Sequence, residues 1–450
     1  MQSLTCFKAY DVRGKVPSEL NAEIAENIAR AFACVTNAKH IVIGHDIRLT
    51  GPELTQAVVA GLTKQGCDVT FIGQCGTEEI YFAAQHLDVD GGICITASHN
   101  PEDYNGMKFV ERDAKPLSIS ALKAVKALAE TAHFDDVVTQ GCYHTANLRS
   151  EYKAHLLSYI DKTQLKPLKL VVNAGNGGAG AIVDLLENEL PFEFIKVNHE
   201  ANGHFPNGVP NPLLEQNRQS TADAVIEHGA DLGIAWDGDF DRCFFFDENG
   251  QFIEGYYIVG LLASAMLAKH AGGGIVYDPR LCWNTQQIIK QQGGEGTMSK
   301  TGHAFIKQTM REVDAVYGGE MSAHHYFKAF AYCDNGTIPW LLLTETLSTQ
   351  NAKLSQLVSE QQASFPCSGE INFTVADSQA LLTHLLAIYA GQAISVDQLD
   401  GLSLTFDNWR FNIRASNTEP LIRLNIETRA DTELLAQKVA QMSELIQRFQ

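Results

Sequence analysis

The sequence contains no Cys-x-x-Cys pair. Its ten cysteines stand apart at positions 6, 34, 67, 75, 94, 142, 243, 282, 333 and 367. Thiols scattered along a chain of 450 residues behave as small apolar side chains in a reducing compartment. This excludes a disulfide scaffold and a cysteine-ligated zinc module. Long hydrophobic runs are missing too: no window approaches ~18 uninterrupted apolar residues, so no membrane span is expected. The stretch from Met1 to Arg13 has no apolar run and carries Lys8, Asp11 and Arg13, so no signal peptide is expected and a cytoplasmic location is. Positive charge is scarce, with 34 Lys and Arg against 53 Asp and Glu and a formal charge of −19. Such a chain is unsuited to nucleic acid or to an anionic membrane surface. An anionic small substrate stays compatible if cations gather locally at its site. Nothing implies an obligatory protein partner.

What is present is ordinary globular composition, 45% apolar and 19% charged. At roughly 150 residues per domain, the length predicts about three domains. Short β-branched runs alternate with helical spacing. His40–Gly44 reads as a strand, Pro52–Gln65 as a helix and Asp68–Gly73 as a strand. Leu168–Asn173, Ala181–Leu190 and Pro191–Val197 repeat that order, and Gly274–Asp278, Asn284–Gln292 and Gly296–Lys300 repeat it again. Strand, helix, strand implies parallel βαβ units with right-handed crossovers. Asp46-Ile47-Arg48-Leu49 and Asp278-Pro279-Arg280-Leu281 both follow the first strand of a unit. The middle copy, with Asn173, keeps the order without that signature. After Pro366 come a strand (Gly369–Val375), a helix (Ser378–Tyr389), three strands (Leu402–Phe406, Trp409–Arg414, Leu421–Glu427) and a helix from about Thr432 to Phe449. The expected architecture is three related α/β domains with mixed sheets, over residues 1–145, 146–247 and 248–366, and a smaller α+β domain over 367–450.

Four segments carry chemistry. Asp237-Gly238-Asp239-Phe240-Asp241-Arg242 places three carboxylates at i, i+2 and i+4 in a loop between apolar strands. Oxygen donors so crowded suit a hard cation such as Mg²⁺ or Ca²⁺. An EF-hand fails because its sixth position needs Gly and here holds Arg242. Thr96-Ala97-Ser98-His99-Asn100-Pro101 follows the apolar run Gly91–Ile95 and leads to Lys108, so Ser98 presents a hydroxyl where a strand becomes a turn. The serine-hydrolase Gly-x-Ser-x-Gly elbow is absent. In Glu320-Met321-Ser322-Ala323-His324 the polar residues alternate, and on an extended segment they would face one way toward vicinal sugar hydroxyls. Arg414-Ala415-Ser416-Asn417-Thr418, with Arg423 beyond, concentrates donors of the kind a phosphate needs. A competing signal, Gly175-x-Gly177-x-x-Gly180, resembles a dinucleotide fingerprint. The carboxylate meant for the ribose does not end the second strand, so turn and helix-packing glycines are the better reading.

Together with Tyr10-Asp11-Val12-Arg13-Gly14 and Thr301-Gly302-His303, these motifs resemble the α-D-phosphohexomutase family, most closely its bacterial phosphomannomutase branch, over essentially the whole chain. The resemblance implies three related α/β domains and a fourth, smaller one, arranged like a heart around a central cleft. It implies that Ser98 is a phosphoserine and that Asp237, Asp239 and Asp241 bind one Mg²⁺ with a phosphoserine oxygen. Glu320 and Ser322 would contact sugar hydroxyls. Arg414, Ser416, Asn417 and Thr418, with Arg423 beside them, would clamp the phosphate that does not react. Arg13, His99, Lys108, Arg242, Arg280, His303 and His324 match cleft positions that handle phosphate charge and proton transfer, with Lys108 or His324 as base. The implied activity interconverts mannose 1- and 6-phosphates through a hexose 1,6-bisphosphate, which also serves as activator, and supplies GDP-mannose. Phosphoglucomutase or dual specificity is the near alternative, and Met321 fits the phosphomannomutase and dual-specificity branch, where phosphoglucosamine mutases usually carry a different residue. More remote are a non-catalytic sugar-phosphate-binding protein and a nicotinamide dehydrogenase using Gly175–Gly180.

Overall fold

The computed structural model of the chain describes residues 3–135, 137–415 and 421–449. The chain divides into two compact units. The first is Met1–Phe252 with Ala329–Asn351, and the second is Ile253–Lys328 with Ala352–Gln450. No helix among the described residues is long and apolar enough to cross a membrane, and each of the ten cysteines is a free thiol.

The first unit holds two mixed sheets. In the first sheet the strand order is Val12–Lys15, Tyr104–Glu111, Gly91–Ile95, His40–His45, Asp68–Gln74 and Tyr143–Thr145. His40–His45 lies at its centre, parallel to both neighbours, with Ile41 opposite Val69 on one side and Gly91 on the other. A strand covered on both faces needs apolar residues throughout, which is why Ile41, Val42 and Ile43 run together and are all buried. Helix Ala22–Thr36 shows how sequence sets an element. Asn21 caps it by accepting the Ile24 N–H at 3.0 Å. Ile24, Ile28 and Phe32 recur every four residues and enter the core. Asn37, at φ 52°, closes the helix in the left-handed region. Each such apolar side chain, fully buried, contributes about 1.5–3 kcal/mol.

In the second sheet, Lys169–Asn173 lies between Glu193–Val197 and Leu232–Trp236, parallel to both. Leu232–Trp236 then pairs antiparallel with Cys243–Phe246. The expected glycine-rich turn precedes helix Ala179–Glu187. A Cβ on Gly180 would stand 2.4 Å from the His199 carbonyl oxygen, so this glycine lets helix and strand end pack closely.

The second unit holds a sheet in which Gly274–Tyr277 is parallel to Glu295–Met298 and to Tyr317–Gly319. Its other sheet is antiparallel throughout, in the order Cys367–Thr374, Leu421–Thr428, Trp409–Ala415, Leu402–Thr405, Ser395–Asp397. Helices Ser378–Tyr389 and Thr432–Gln447 share its core through Leu381, Leu385, Met442 and Ile446.

The repeat seen in the sequence is a repeat of geometry. Asp46 Oδ1 accepts the Arg48 N–H at 2.9 Å, and Asp278 Oδ1 accepts the Arg280 N–H at 2.9 Å. The middle copy lacks the motif but makes the same turn, Asn173 Oδ1 accepting the Gly175 N–H at 3.0 Å. An Asp or Asn side chain that mimics a backbone turn is what the end of this strand requires.

Candidate active site

Strand Gly91–Ile95 ends in the turn that carries Ser98. Ser98 is buried and holds φ at 49°, a left-handed conformation that a residue with a Cβ adopts only when its surroundings dictate it. The Ser98 N–H donates to Thr96 Oγ1 at 2.9 Å. Below the turn, the Arg48 guanidinium donates to the carbonyls of Ser98, Asn100, Pro101 and Tyr104 at 2.8, 2.6, 2.7 and 2.8 Å. Arg13 donates from Nη1 to Asn100 Oδ1 and from Nε to Asp11 Oδ2, each at 2.8 Å.

The aspartate loop joins strands Leu232–Trp236 and Cys243–Phe246, as its apolar flanks predict. Asp237, Asp239 and Asp241 are all buried, and one oxygen from each lies within 4.8 Å of the others. The Ser98 hydroxyl meets this cluster. Its Oγ donates to Asp237 Oδ2 at 3.1 Å and lies 3.2 Å from His99 Nδ1. Lys108 Nζ bridges Asp239 Oδ2 and Asp241 Oδ2, at 2.6 Å from each. Arg242 donates from Nε (2.9 Å) and Nη2 (2.6 Å) to Asp237 Oδ2, and Nη2 also donates to His99 Nδ1. Thr77 Oγ1 donates to Asp239 Oδ2 at 2.5 Å.

Burial pushes the Asp237 carboxyl up to about 6 even though Arg242 opposes it. Burial and Asp241 push Asp239 upward as well, but Lys108 and Thr77 outweigh them and leave it below the ordinary value. Burial lowers Lys108, while Asp239 and Asp241 outweigh it and hold the ammonium above its usual range. Packing, then the charges of Arg242 and Arg13, hold His99 well below the usual imidazole value. The donor set fits a hard divalent cation. It offers only oxygens, and Asp239 Oδ1 is buried with no hydrogen-bond partner among the described residues. Asp237, Asp239 and Asp241 are therefore the residues that would hold Mg²⁺.

The second unit gathers a different chemistry. Glu320, Ser322 and His324 do not alternate along an extended segment as the sequence pattern suggests. Strand Tyr317–Gly319 pairs antiparallel with His325–Phe327 in a tight register, Gly319 opposite His325, so residues 320–324 form the connecting turn. Its marks are the Glu320 N–H donating to the His324 carbonyl at 2.9 Å and Ala323 at φ 70°. The three residues nonetheless meet. Glu320 accepts from the Gly302 N–H at 2.8 Å and the Tyr326 hydroxyl at 2.5 Å, and lies 3.2 Å from His324 Nδ1. Burial raises the Glu320 carboxyl, yet His324, Arg280 and Tyr326 outweigh it and hold it far below the usual range, so it is an ionised acceptor. Arg280 is gripped by Asp278 at 3.0 and 2.8 Å and donates to Ser322 Oγ at 3.3 Å. His303 opens helix His303–Glu312, directly after Gly302.

Arg414 and Arg423 face each other across paired strands. With Arg280 they surround Glu370, whose carboxylate lies 3.2 Å from Arg414 Nη2, 3.5 Å from Arg280 Nη1 and 3.7 Å from Arg423 Nε. Asp278 already pairs with Arg280, so Arg414 and Arg423 share Glu370 between them and leave guanidinium donors for an anion. Ser416, Asn417 and Thr418 lie outside the described residues.

Within the first unit, Arg13, Ser98, His99, Lys108, Arg242 and the three aspartates come together. Within the second, Arg280, Glu320, Ser322, His324, Arg414 and Arg423 do. Three contributors escaped the sequence reading. Arg48 had a signal, its repeated Asp-x-Arg-Leu turn. Thr77 stands at the start of helix Thr77–His86 with nothing to mark it. Glu370 is a lone acid in a strand, recognisable only through its three arginines.

Four family models match in order. They describe α/β/α domains I, II and III of phosphoglucomutase/phosphomannomutase, over residues 5–136, 150–250 and 254–365, and the C-terminal domain, over 370–445. A protein of Xanthomonas campestris pv. campestris (strain B100) described as "Phosphohexose mutases" is 54% identical over 447 residues, covering 99% of each chain. A phosphomannomutase of Escherichia coli (strain K12) is 54% identical over 443 residues, 97% of each. The crystal structure of a phosphoglucomutase/phosphomannomutase family protein from Burkholderia thailandensis superposes with a TM-score of 0.90 at 32% identity, covering 100% of this chain and 98% of that one. With a buried serine hydroxyl on a trio of aspartates, and with full-length similarity to these proteins, the chain belongs to the phosphoglucomutase/phosphomannomutase family of phosphohexomutases.

Proposed function

We propose that this enzyme is a phosphomannomutase. It interconverts mannose 1-phosphate and mannose 6-phosphate through phosphorylated Ser98 and a hexose 1,6-bisphosphate intermediate, in the cytoplasm, to supply GDP-mannose. The observation that carries the reading is the Ser98 hydroxyl, buried and 3.1 Å from Asp237 within the carboxylate cluster.

The chemistry follows from charge. A phosphorylated serine carries about −1.5 to −2 charges at neutral pH. A sugar hydroxyl reaches that anion only where cations offset it. Lys108, Arg242 and Arg13 provide them beside Ser98. Mg²⁺ held by Asp237, Asp239 and Asp241, with a phosphoserine oxygen, would add further neutralisation of the phosphoryl charge. O6 of mannose 1-phosphate attacks phosphorus, and its proton passes to His324, because Lys108 is held as an ammonium by Asp239 and Asp241. The P–O6 bond forms as the bond to Ser98 Oγ breaks, giving the 1,6-bisphosphate. The intermediate turns over, the phosphate on C1 returns to Ser98, and mannose 6-phosphate leaves. Glu320 and Ser322 hold sugar hydroxyls throughout. Arg280, Arg414 and Arg423, joined by Ser416, Asn417 and Thr418, hold whichever phosphate is not reacting, and His303, next to the Gly302 whose N–H donates to Glu320, adds a polar group.

Dual specificity toward glucose phosphates is the second reading, favoured by the relative described as "Phosphohexose mutases". The deciding experiment compares turnover of mannose 1-phosphate and glucose 1-phosphate with a bisphosphate primer. The expected result is a preference for mannose, and a tenfold or greater preference for glucose overturns the assignment.

A further inference from the structure

The turn that carries Ser98 is held from below by one buried side chain. Arg48 is 2% exposed. Its Nη2 donates to the carbonyls of Ser98 (2.8 Å) and Asn100 (2.6 Å), and its Nη1 to those of Pro101 (2.7 Å) and Tyr104 (2.8 Å). A guanidinium is a rigid planar fork of donors, so carbonyls that share one fork are fixed relative to one another. The fork is itself anchored. Asp46 Oδ1 accepts the Arg48 N–H at 2.9 Å, and Asp46 Oδ2 lies 3.5 Å from Arg48 Nε. The Phe205 ring lies over the guanidinium, 5.4 Å from its carbon to the ring centre. These contacts all reach main chain or supporting side chains; none of the hydrogen bonds reaches the Ser98 hydroxyl or the three aspartates, and only the charge of Arg48 is felt at Asp239. The contrast with the repeat partner is informative. Arg280, at the same place in the later Asp-x-Arg-Leu turn, directs its fork to side chains: Asp278, Ser322 and Glu370. One turn motif thus serves two ends.

We propose that Arg48 is a positioning residue for phosphoryl transfer: by gripping four main-chain carbonyls it keeps Ser98 left-handed, with Oγ aimed at the aspartate cluster. The proposal rests on Ser98 being the phosphorylated residue. A lysine in its place keeps the charge but has a single ammonium with three donors and no fork. It cannot hold four carbonyls. Displacing a reacting group by a fraction of an ångström costs rate, whereas the groups that hold substrate stay untouched.

The test compares wild type with Arg48→Lys. The expected result is a kcat lower by about tenfold or more, a KM for mannose 1-phosphate within twofold, and a smaller fraction of Ser98 phosphorylated by glucose 1,6-bisphosphate, read by intact mass. Circular dichroism checks the fold. Asp46→Asn serves as the second variant, because it keeps the acceptor of the turn and replaces the charged oxygen beside Nε with an amide NH2. It should lower kcat by a few fold with KM unchanged. A folded Arg48→Lys with wild-type kcat and phosphate loading overturns the proposal, as does a loss confined to KM. Failure of both variants to fold assigns Arg48 to the fold alone and also overturns it. A wild-type enzyme that turns over with no phosphate ever on Ser98 overturns the reading of Ser98 first, and the role of Arg48 with it.

Discussion

Replacing Gly76 with alanine should disable the aspartate loop from behind, without touching any charged residue. Gly76 precedes helix Thr77–His86 at φ −92°, a conformation that alanine adopts freely, so the backbone does not resist. The obstacle is space. The new Cβ would stand 2.1 and 2.2 Å from two carbons of the Phe240 ring. Carbon atoms rest at about 3.5–4.0 Å, so the ring has to retreat by about 1.4 Å or more. Phe240 is buried and lies between Asp239 and Asp241 in the chain, so its retreat drags the carboxylates with it. A misplacement of about 1 Å costs roughly 100-fold in rate. The accompanying overpacking costs about 1–3 kcal/mol. Three readouts follow: kcat at saturating Mg²⁺, the Mg²⁺ concentration for half-maximal rate, and the melting temperature. We expect kcat down about 100-fold, a higher Mg²⁺ requirement, and a Tm lower by a few degrees. Adding Phe240→Leu to Gly76→Ala should recover much of the rate by giving the methyl group room. Gly76→Ala with wild-type kcat and Mg²⁺ requirement would refute the claim that this packing sets the loop.

Arg414→Ala should raise KM by about tenfold or more, the worth of a charged hydrogen bond, and leave kcat within about twofold. Steady-state kinetics check this, and a loss of kcat alone contradicts it. Asp239→Asn removes the carboxylate with the unpartnered Oδ1, so rate and Mg²⁺ response should fall together. EDTA should abolish wild-type turnover and added Mg²⁺ restore it, whereas turnover that survives metal removal refutes the cation's role. A pH test concerns stability. Glu78 accepts from the Tyr152 and Thr337 hydroxyls and the Gly336 N–H, yet burial pushes its carboxyl from 4.5 up to about 8. A carboxyl raised in the folded state binds more protons there than in the unfolded chain. Its stabilisation is complete below about 4.5 and is lost as pH climbs through about 8. Urea resistance of the wild type should therefore fall across that window, by at most about 1.4 kcal/mol per pH unit from this group. Glu79, raised to about 7 by burial, adds in the same direction. Glu78→Gln should flatten the decline, and a variant as pH-sensitive as wild type contradicts the assignment.

The fold was legible where local chemistry dictates it. The parallel units followed from apolar strands alternating with helical spacing, and the aspartate loop followed from three crowded acids between two apolar strands. The Asp-x-Arg-Leu repeat was visible as letters, but its meaning was not. Only in three dimensions does Arg48 prove to grip a turn fifty residues away and Arg280 to donate to Ser322, forty-two residues away. The alternation of Glu320, Ser322 and His324 misled because period two presumes a strand. A short run between two pairing strands becomes a turn instead, and the sequence carries no record of which residues pair. Thr77 and Glu370 were illegible for a related reason. Each acquires its role from partners far along the chain, Asp239 for one and three arginines for the other.

The claim on which the account depends is that Ser98 lends and reclaims the phosphoryl group. The direct measurement is a single-turnover experiment. Phosphate-loaded enzyme, in excess over mannose 1-phosphate, is mixed with it and quenched at intervals within the first cycle while intact mass and products are followed. The account predicts that the enzyme loses one phosphoryl mass from Ser98 as the 1,6-bisphosphate appears, at least as fast as kcat, and that Ser98→Ala does neither. Turnover with the phosphate remaining on Ser98, or full activity in Ser98→Ala, contradicts it.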